Sequence, residues 1–551
     1  MSRERTFLII ALLAICSGGS AQQSQLGRVE FQVTGSEKSR EHFLRGLAAL
    51  HSFWYEEALE AFRESTRVAP DFSMGYWGEA MAHNHPLWGE QDTEDARKVL
   101  QKLNITPKLT ARERAYLNAV RILYGAGDKH ARDLAYSAAM EKIYRDYPDD
   151  PDAACFYALS LLGTVRPEDK GFRRQAQAGA IALAVFEKNP NHPGAAHYII
   201  HAFDDPDHAI LALPAARRYA EIAPEAHHAR HMPAHIFLQL GMWPEAAASN
   251  ESAWEASDAW VKRKNLSLVN RDYHSLYWLL YVYLQQGRYG KAEQLLELMK
   301  KVMTESKDDK RPGYFASSYA MMAAAFMVET ERWGLAVKLF GAARADEQPA
   351  GEHSGHAAHS GTDAQGRTAE RSNTSQVVPV FMRGLAAAKK GSDESDKNLA
   401  ALRSLQKAEK SSYRAKSEEI RELEIAAVAA SSKGQHSKAV ESMKEARKLE
   451  DDLAPPSGPP ALIKPAHELF GEVLLGAGKA SEAAEQFAAA LLRQPNRARS
   501  LIGAARAAAQ SGDSKAASEF YGKLLKQWEQ ADRDLPELTE AKDYLSRHPT
   551  P

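Results

Sequence analysis

Small and aromatic residues recur along this chain at a fixed interval. Counted from Ser39, the residues Gly46, Ala58, Phe62 and Pro70 occupy positions 8, 20, 24 and 32 of a 34-residue unit; counted from Lys464, Gly471, Ala483, Phe487 and Pro495 occupy the same four positions. The spacing predicts two helices per unit. Small side chains at 8 and 20 let helix A and helix B approach closely, the aromatic at 24 fills the gap between them, and the proline ends helix B. The stretches between the two ends keep the pattern more loosely: Ala212, Ala216 and Pro224 counted from Pro193, Ala246 and Ala253 from His227, Tyr283 and Ala292 from Tyr273, and Ala505, Ala517 and Tyr521 from Ala498.

Two segments break the periodicity. The stretch 346–376, rich in Gly, Ser, Thr, Gln and His, reads as a flexible linker, and the Pro-rich stretch 454–463 cannot be helical and reads as a stiff connector. The expected organisation is therefore a helical repeat block over 22–345, the linker, further helices over 377–453, the connector, and C-terminal repeats over 464–551. At 551 residues the chain exceeds what one compact core can hold, which agrees with an extended array.

The offsets at 8, 20, 24 and 32 resemble the tetratricopeptide repeat family, of the exported bacterial multi-repeat type. That resemblance implies an all-α fold, a right-handed α-solenoid in two blocks. It also implies an interaction scaffold whose concave groove, built from the A helices, binds a protein or peptide. It carries no expectation of catalysis.

Composition adds little to this picture. Charged residues make up 26% of the chain and the formal net charge is -2, so there is no global field for nucleic acid, and none is expected as a partner. Arg3 and Arg5, the apolar run from Phe7 to Ile15 and the small residues Gly19, Ser20 and Ala21 read as an export signal over 1–21, cleaved after Ala21. The expected location is periplasmic or extracellular, with no transmembrane segment in the mature chain. A lipid anchor at Cys16 is disfavoured, because Ile15 stands where such signals carry a small residue. Loss of the signal leaves Cys155 as the only thiol, so no intrachain disulfide forms.

One feature exceeds the needs of a repeat scaffold. Eight of the 20 histidines fall between Asn191 and His235, among them the i,i+4 pairs His197/His201 and His231/His235. Counted from Pro193 and from His227, both pairs occupy positions 5 and 9, equivalent sites on consecutive A helices. Four imidazoles converging across one seam, with Asp204 and Asp205 nearby, form a ligand set suited to zinc, copper or iron. His51, His85, His228 and His274 are expected as ligand contacts in the same groove.

Two readings stay open at this point: a metal-binding protein or metal-dependent enzyme, and a groove of hydrogen-bonded histidines that holds no metal. The spacing of His197 and His201 matches that of HExxH metallopeptidases, but Tyr198 stands where those enzymes carry their glutamate, so that mechanism is not supported, while a metal-activated water served by Asp204, Asp205 or a carboxylate of another repeat such as Glu79 or Glu251 stays open. Pro233, between His231 and His235, is expected to interrupt the helix there. No catalytic residue can be assigned from the sequence.

Overall fold

A computed structural model describes residues 25–103, 105, 107–166, 169, 171–306, 311–342, 371–406 and 412–548. The expected export signal with Cys16, and most of the expected linker with its histidines, lie outside the described residues. The fold is all-α, apart from a two-residue hairpin pairing Asn84–His85 with Glu90–Gln91. The first part of the chain forms helices Glu37–His51 (α1), Tyr55–Val68 (α2), Ser73–Met81 (α3), Thr93–Leu100 (α4), Ala111–Leu123 (α5), Lys129–Asp146 (α6), Pro151–Gly163 (α7) and Arg173–Lys188 (α8). The central part forms Pro193–Ala202 (α9), Ala209–Ile222 (α10), His227–His231 (α11), Pro233–Gln239 (α12), Trp243–Arg263 (α13), Tyr273–Gln285 (α14), Tyr289–Glu305 (α15), Pro312–Thr330 (α16) and Ala336–Phe340 (α17). The last part forms Arg371–Lys389 (α18), Glu394–Gln406 (α19), Ser412–Ser432 (α20), His436–Asp451 (α21), Ala466–Gly476 (α22), Ala480–Arg493 (α23), Ala498–Gln510 (α24), Ser514–Gln527 (α25) and Pro536–Arg547 (α26).

Successive helices pack as pairs, α1 on α2, α7 on α8, α20 on α21 and α22 on α23, and each pair packs on the next. The close approach predicted within a repeat is visible at its glycines. A Cβ added at Gly46 would sit 2.9 Å from the Phe62 ring, and one at Gly471 would sit 2.7 Å from the Phe487 ring, so only a hydrogen fits at position 8 of these two repeats. The repeat registers counted from Pro193 and His227 also coincide with helix starts, since α9 begins at Pro193 and α11 at His227.

The array does not run out as an open ribbon. One hydrophobic core extends from α1 to α16 and a second from α16 to α24; α24, α25 and α26 then return to the first. The return is tied by polar contacts. Asp532 N–H donates to Gly287 O at 3.0 Å, Trp528 Nε1 to Gln285 O at 2.9 Å, and Trp243 Nε1 to Asn496 O at 3.0 Å. At the junction the buried Arg497 guanidinium meets Glu468 at 2.8 Å, Glu329 at 2.7 Å and the Tyr281 hydroxyl at 2.7 Å, joining α14, α16 and α22.

The linker expected over 346–376 ends earlier than its composition indicated, because α18 begins at Arg371 and continues through 376. The Pro-rich stretch 454–463 is non-helical and lies against the first block: Pro456 O accepts from Gln239 Nε2 at 2.9 Å, and Gly458 is pressed on the Trp278 ring. No described helix is long and apolar enough to cross a membrane.

Candidate metal centre

The helix starts at Pro193 and His227 bring both histidine pairs to one seam. His197 and His201 lie one turn apart on α9, with their Nε2 atoms 3.0 Å apart. His231 ends α11 and His235 lies in α12, yet their Nε2 atoms are 3.2 Å apart. Pro233 does interrupt the helix, at Met232, but the backbone there stays in the right-handed helical region, so the two imidazoles keep to one face.

A third histidine from the following repeat completes each pair. His197, His201 and His228 form one group, and His231, His235 and His274 a second; within each, the three potential ligand atoms lie within 4.8 Å of one another. His228 is position 2 of the repeat counted from His227, and His274 is position 2 of the repeat counted from Tyr273. The two triads are thus the same construction, positions 5 and 9 of one repeat plus position 2 of the next, used twice in succession. They adjoin each other: the His201 and His235 ring centroids are 6.1 Å apart, as are those of His228 and His231.

Surrounding acceptors fix how these imidazoles point. His197 Nδ1 donates to the His51 carbonyl oxygen at 2.7 Å, and His235 Nδ1 donates to Asp204 Oδ2 at 2.7 Å. His231 Nδ1 donates to Asn250 Oδ1 at 2.6 Å, while the Asn250 amide nitrogen, held on Ala246 O at 2.9 Å, sets which way that side chain faces. A proton on Nδ1 leaves the Nε2 lone pair free for a metal, and such outer acceptors are what orient metal-ligating histidines. His201 Nδ1 and His228 Nε2 are buried with no hydrogen-bond partner. Burial, reinforced by the neighbouring imidazoles, pushes His197, His201, His228 and His231 well below the usual histidine range, so all four are neutral at pH 7.

A cavity of about 440 Å³ opens onto this seam. His201, His228, His235 and His274 line it together with the aromatic side chains of Phe53, Tyr55, Trp88, Trp260, Tyr273 and Tyr314. Most of its charged groups are paired, Lys264 with Glu57 at 2.9 Å and Glu60 at 2.7 Å, Arg271 with Asp258, and Asp272 with His227 at 3.3 Å, while Glu56 stands on the wall near His227 outside these pairs. Phe53 is unusual in its backbone. It has a φ of 52° in the turn after α1, at position 15, where Gly241, Gly287, Gly478 and Gly512 supply the left-handed residue in four other repeats. A bulky residue in that conformation costs about 1–3 kcal/mol and is retained where the surroundings demand it. Here the Phe53 ring lies 4.3 Å from His197 and stacks on His201 and His228 at 5.7 Å and 5.8 Å.

Several sequence expectations are corrected. Asp204 and Asp205 belong to neither triad. Helix α9 ends at Ala202, so both carboxylates fall beyond the last turn: Asp204 turns outward to His235 Nδ1 and Gln239, and Asp205 accepts from His208 Nδ1 at 2.8 Å. His51 does not face the groove. It is fully buried with Asp152 and His192 in a separate group, its Nε2 2.8 Å from Asp152 Oδ1, its Nδ1 2.9 Å from the Tyr198 hydroxyl. His85, by contrast, lines the cavity from the small hairpin, stacked at 3.9 Å on Tyr55. The lone thiol, Cys155, is buried beside His192 at 3.7 Å, and burial pushes it above the usual thiol range. Asp152, Asn250, Gln239 and Phe53 were not singled out from sequence; only Phe53 carried a signal, as the aromatic replacing glycine at position 15.

No family model matches the chain, and no curated protein is significantly similar to it. Solved structures match at low similarity. The TPR domain of P58(IPK) aligns at 14% identity over 73% of this chain and 100% of its own, with a TM-score of 0.20. A human IFIT1 dimer with PPP-AAAA aligns at 14% identity over 89% of this chain and 90% of its own, with a TM-score of 0.35, and the human IFIT1 dimer with m7Gppp-AAAA is equally distant at 13% identity and 0.34. Both are helical-repeat folds; the superpositions are too loose to transfer a ligand, and they neither support nor exclude nucleic acid as a partner.

Proposed function

We propose that this protein is a metalloprotein, a helical-repeat scaffold that holds two metal ions side by side, each on three imidazoles, at a cavity that admits a small-molecule substrate. The observation that carries this reading is the duplicated triad, His197, His201 and His228 beside His231, His235 and His274, with ligand atoms within 4.8 Å in each. Three imidazoles with a fourth position open is the arrangement of catalytic rather than structural metal sites. Zinc, copper and iron all accept such donors. Two imidazoles of each triad, His201 and His228, and His235 and His274, line the cavity, whose volume of about 440 Å³ lies within the range of small-molecule sites.

The groove-binding role expected from the repeat family draws on the architecture alone. The A-helix surface on which a peptide would lie is here the wall of an aromatic cavity, which favours a compact ligand.

The test is metal analysis of the purified protein after saturation and desalting. Two ions per chain are expected in the wild type and one in His228→Ala or His274→Ala, with helical content unchanged by circular dichroism. Retention of no transition metal by a folded wild-type protein would contradict the proposal.

A further inference from the structure

Resting on the six-histidine reading, we infer that the two ions are copper and that the centre oxidises small aromatic diols with dioxygen. Both parts follow from what surrounds the imidazoles.

All six donors are imidazole nitrogens, and no carboxylate or thiolate belongs to either triad. A pair of divalent hard ions would place four positive charges in a buried seam with no anionic ligand to offset them. The nearest carboxylate, Asp204, is already engaged by His235 and Gln239. Iron and manganese pairs rely on carboxylates for that compensation, whereas copper binds imidazole most strongly of the first-row divalent ions and in its reduced state carries a single charge. A zinc pair working by hydrolysis would also need a carboxylate free to take a proton near the open positions. Of the described cavity carboxylates, Asp272 is committed to His227 and to the N-terminus of α14, where it accepts from His274 N–H and Ser275 N–H at 3.1 Å, Glu57 and Glu60 are held by Lys264, and Glu56 bears on His227 rather than on a triad histidine. Redox chemistry at the metals needs no such base in place.

The cavity restricts the substrate. Its aromatic walls fit a planar ring, and the pairing of Lys264, Glu57, Glu60 and Arg271 leaves neither of these cations free to select an anionic substrate. Two adjacent metal positions accept two adjacent oxygens, which selects an ortho-diol over a single hydroxyl. Phe53, held in its strained turn against His197, His201 and His228, stands where the face of such a ring would lie.

The chemistry balances with dioxygen as the co-reactant. Each diol gives up two electrons through the copper pair and two protons to water, becoming an ortho-quinone. Two diols supply four electrons and four protons, which cleave the O–O bond of one dioxygen and form two waters.

The experiment loads metal-free protein anaerobically with copper or with zinc, removes the excess, and follows oxygen consumption with 4-tert-butylcatechol as the probe. The inference expects two coppers per chain and one dioxygen consumed per two catechols. Activity should be absent in the zinc-loaded protein, reduced at least tenfold in His228→Gln, and shifted toward higher KM at similar kcat in Phe53→Leu with both coppers retained. Two bound coppers with no catechol-dependent oxygen consumption above that of free copper, or uptake of zinc but not copper, would overturn the inference and leave the six-histidine centre standing. Failure to take up any of these metals would overturn both. A melting curve on each variant separates loss of the site from loss of the fold.

Discussion

Two clusters of histidines lie within one packing distance of each other and are built differently. In the group of His51, Asp152 and His192 a carboxylate sits between the rings, every side chain is fully buried, and the imidazoles hold α1 against α7 and α9. In the seam of six, no carboxylate enters either triad and a cavity reaches four of the six rings, whereas buried ring nitrogens without a hydrogen bond occur in both clusters, His201 Nδ1 and His228 Nε2 in the seam and His192 Nε2 in the other. The two clusters are joined by a hydrogen bond, from His197 Nδ1 to the His51 carbonyl. A buried imidazole beside a carboxylate spends its donors on structure, whereas one held neutral with its lone pair facing a neighbour is arranged to bind.

Substitutions should separate the clusters sharply. The largest effect expected is loss of one metal ion outright on removing the third member of a triad, as in His228→Ala or His274→Ala, read by metal analysis. Asp152→Asn should instead cost about 3–5 kcal/mol of stability, the scale for removing one partner of a buried ion pair, without lowering the metal bound per folded chain.

The same carboxylate sets a pH dependence. Burial alone would raise it, but hydrogen bonds from His192 and His51 outweigh that and hold it well below its ordinary value of 3.8. Its contribution is therefore present above that value and lost as pH falls below it, and Glu468, held down by Arg497 and Lys464 against the effect of burial, adds in the same direction. Thermal melts in acid should show wild-type stability falling more steeply than that of Asp152→Asn.

Smaller effects should come from residues that only orient ligands. Asp204→Asn should weaken the ion on His231, His235 and His274 by about 10–100-fold and spare the other, the range measured for such outer contacts. Gln239→Ala, which removes the link from Pro456 to Asp204, should weaken the same ion by less than about tenfold.

The repeat pattern made much of this molecule legible. Gly46 against Phe62 and Gly471 against Phe487 are local relations at fixed offsets, and they appear in the structure as contacts that leave no room for a Cβ. The pairs His197/His201 and His231/His235 were legible for the same reason, since four residues along a helix is a local spacing. His228 and His274 stood in the sequence as groove residues without a defined role, because a triad closes only when the next helix is packed against the last. Asp204 and Asp205 were misplaced by carrying α9 past Ala202, a boundary that periodicity does not fix. Asp152 gave no signal at all: it comes from a stretch remote from the histidines and meets His51 and His192 only in the folded core. The return of α24 to α26 onto the first block was equally hidden, since it depends on how curvature accumulates over many repeats.

The central claim is tested most directly by anomalous diffraction from crystals of the copper-loaded protein, collected at the copper edge. Two peaks in the seam between α9, α11, α12 and α14 are predicted, each about 2.0–2.1 Å from three histidine nitrogens, with Asp204 outside bonding distance of both. No peak in the seam, or copper bound only at surface histidines, would contradict it.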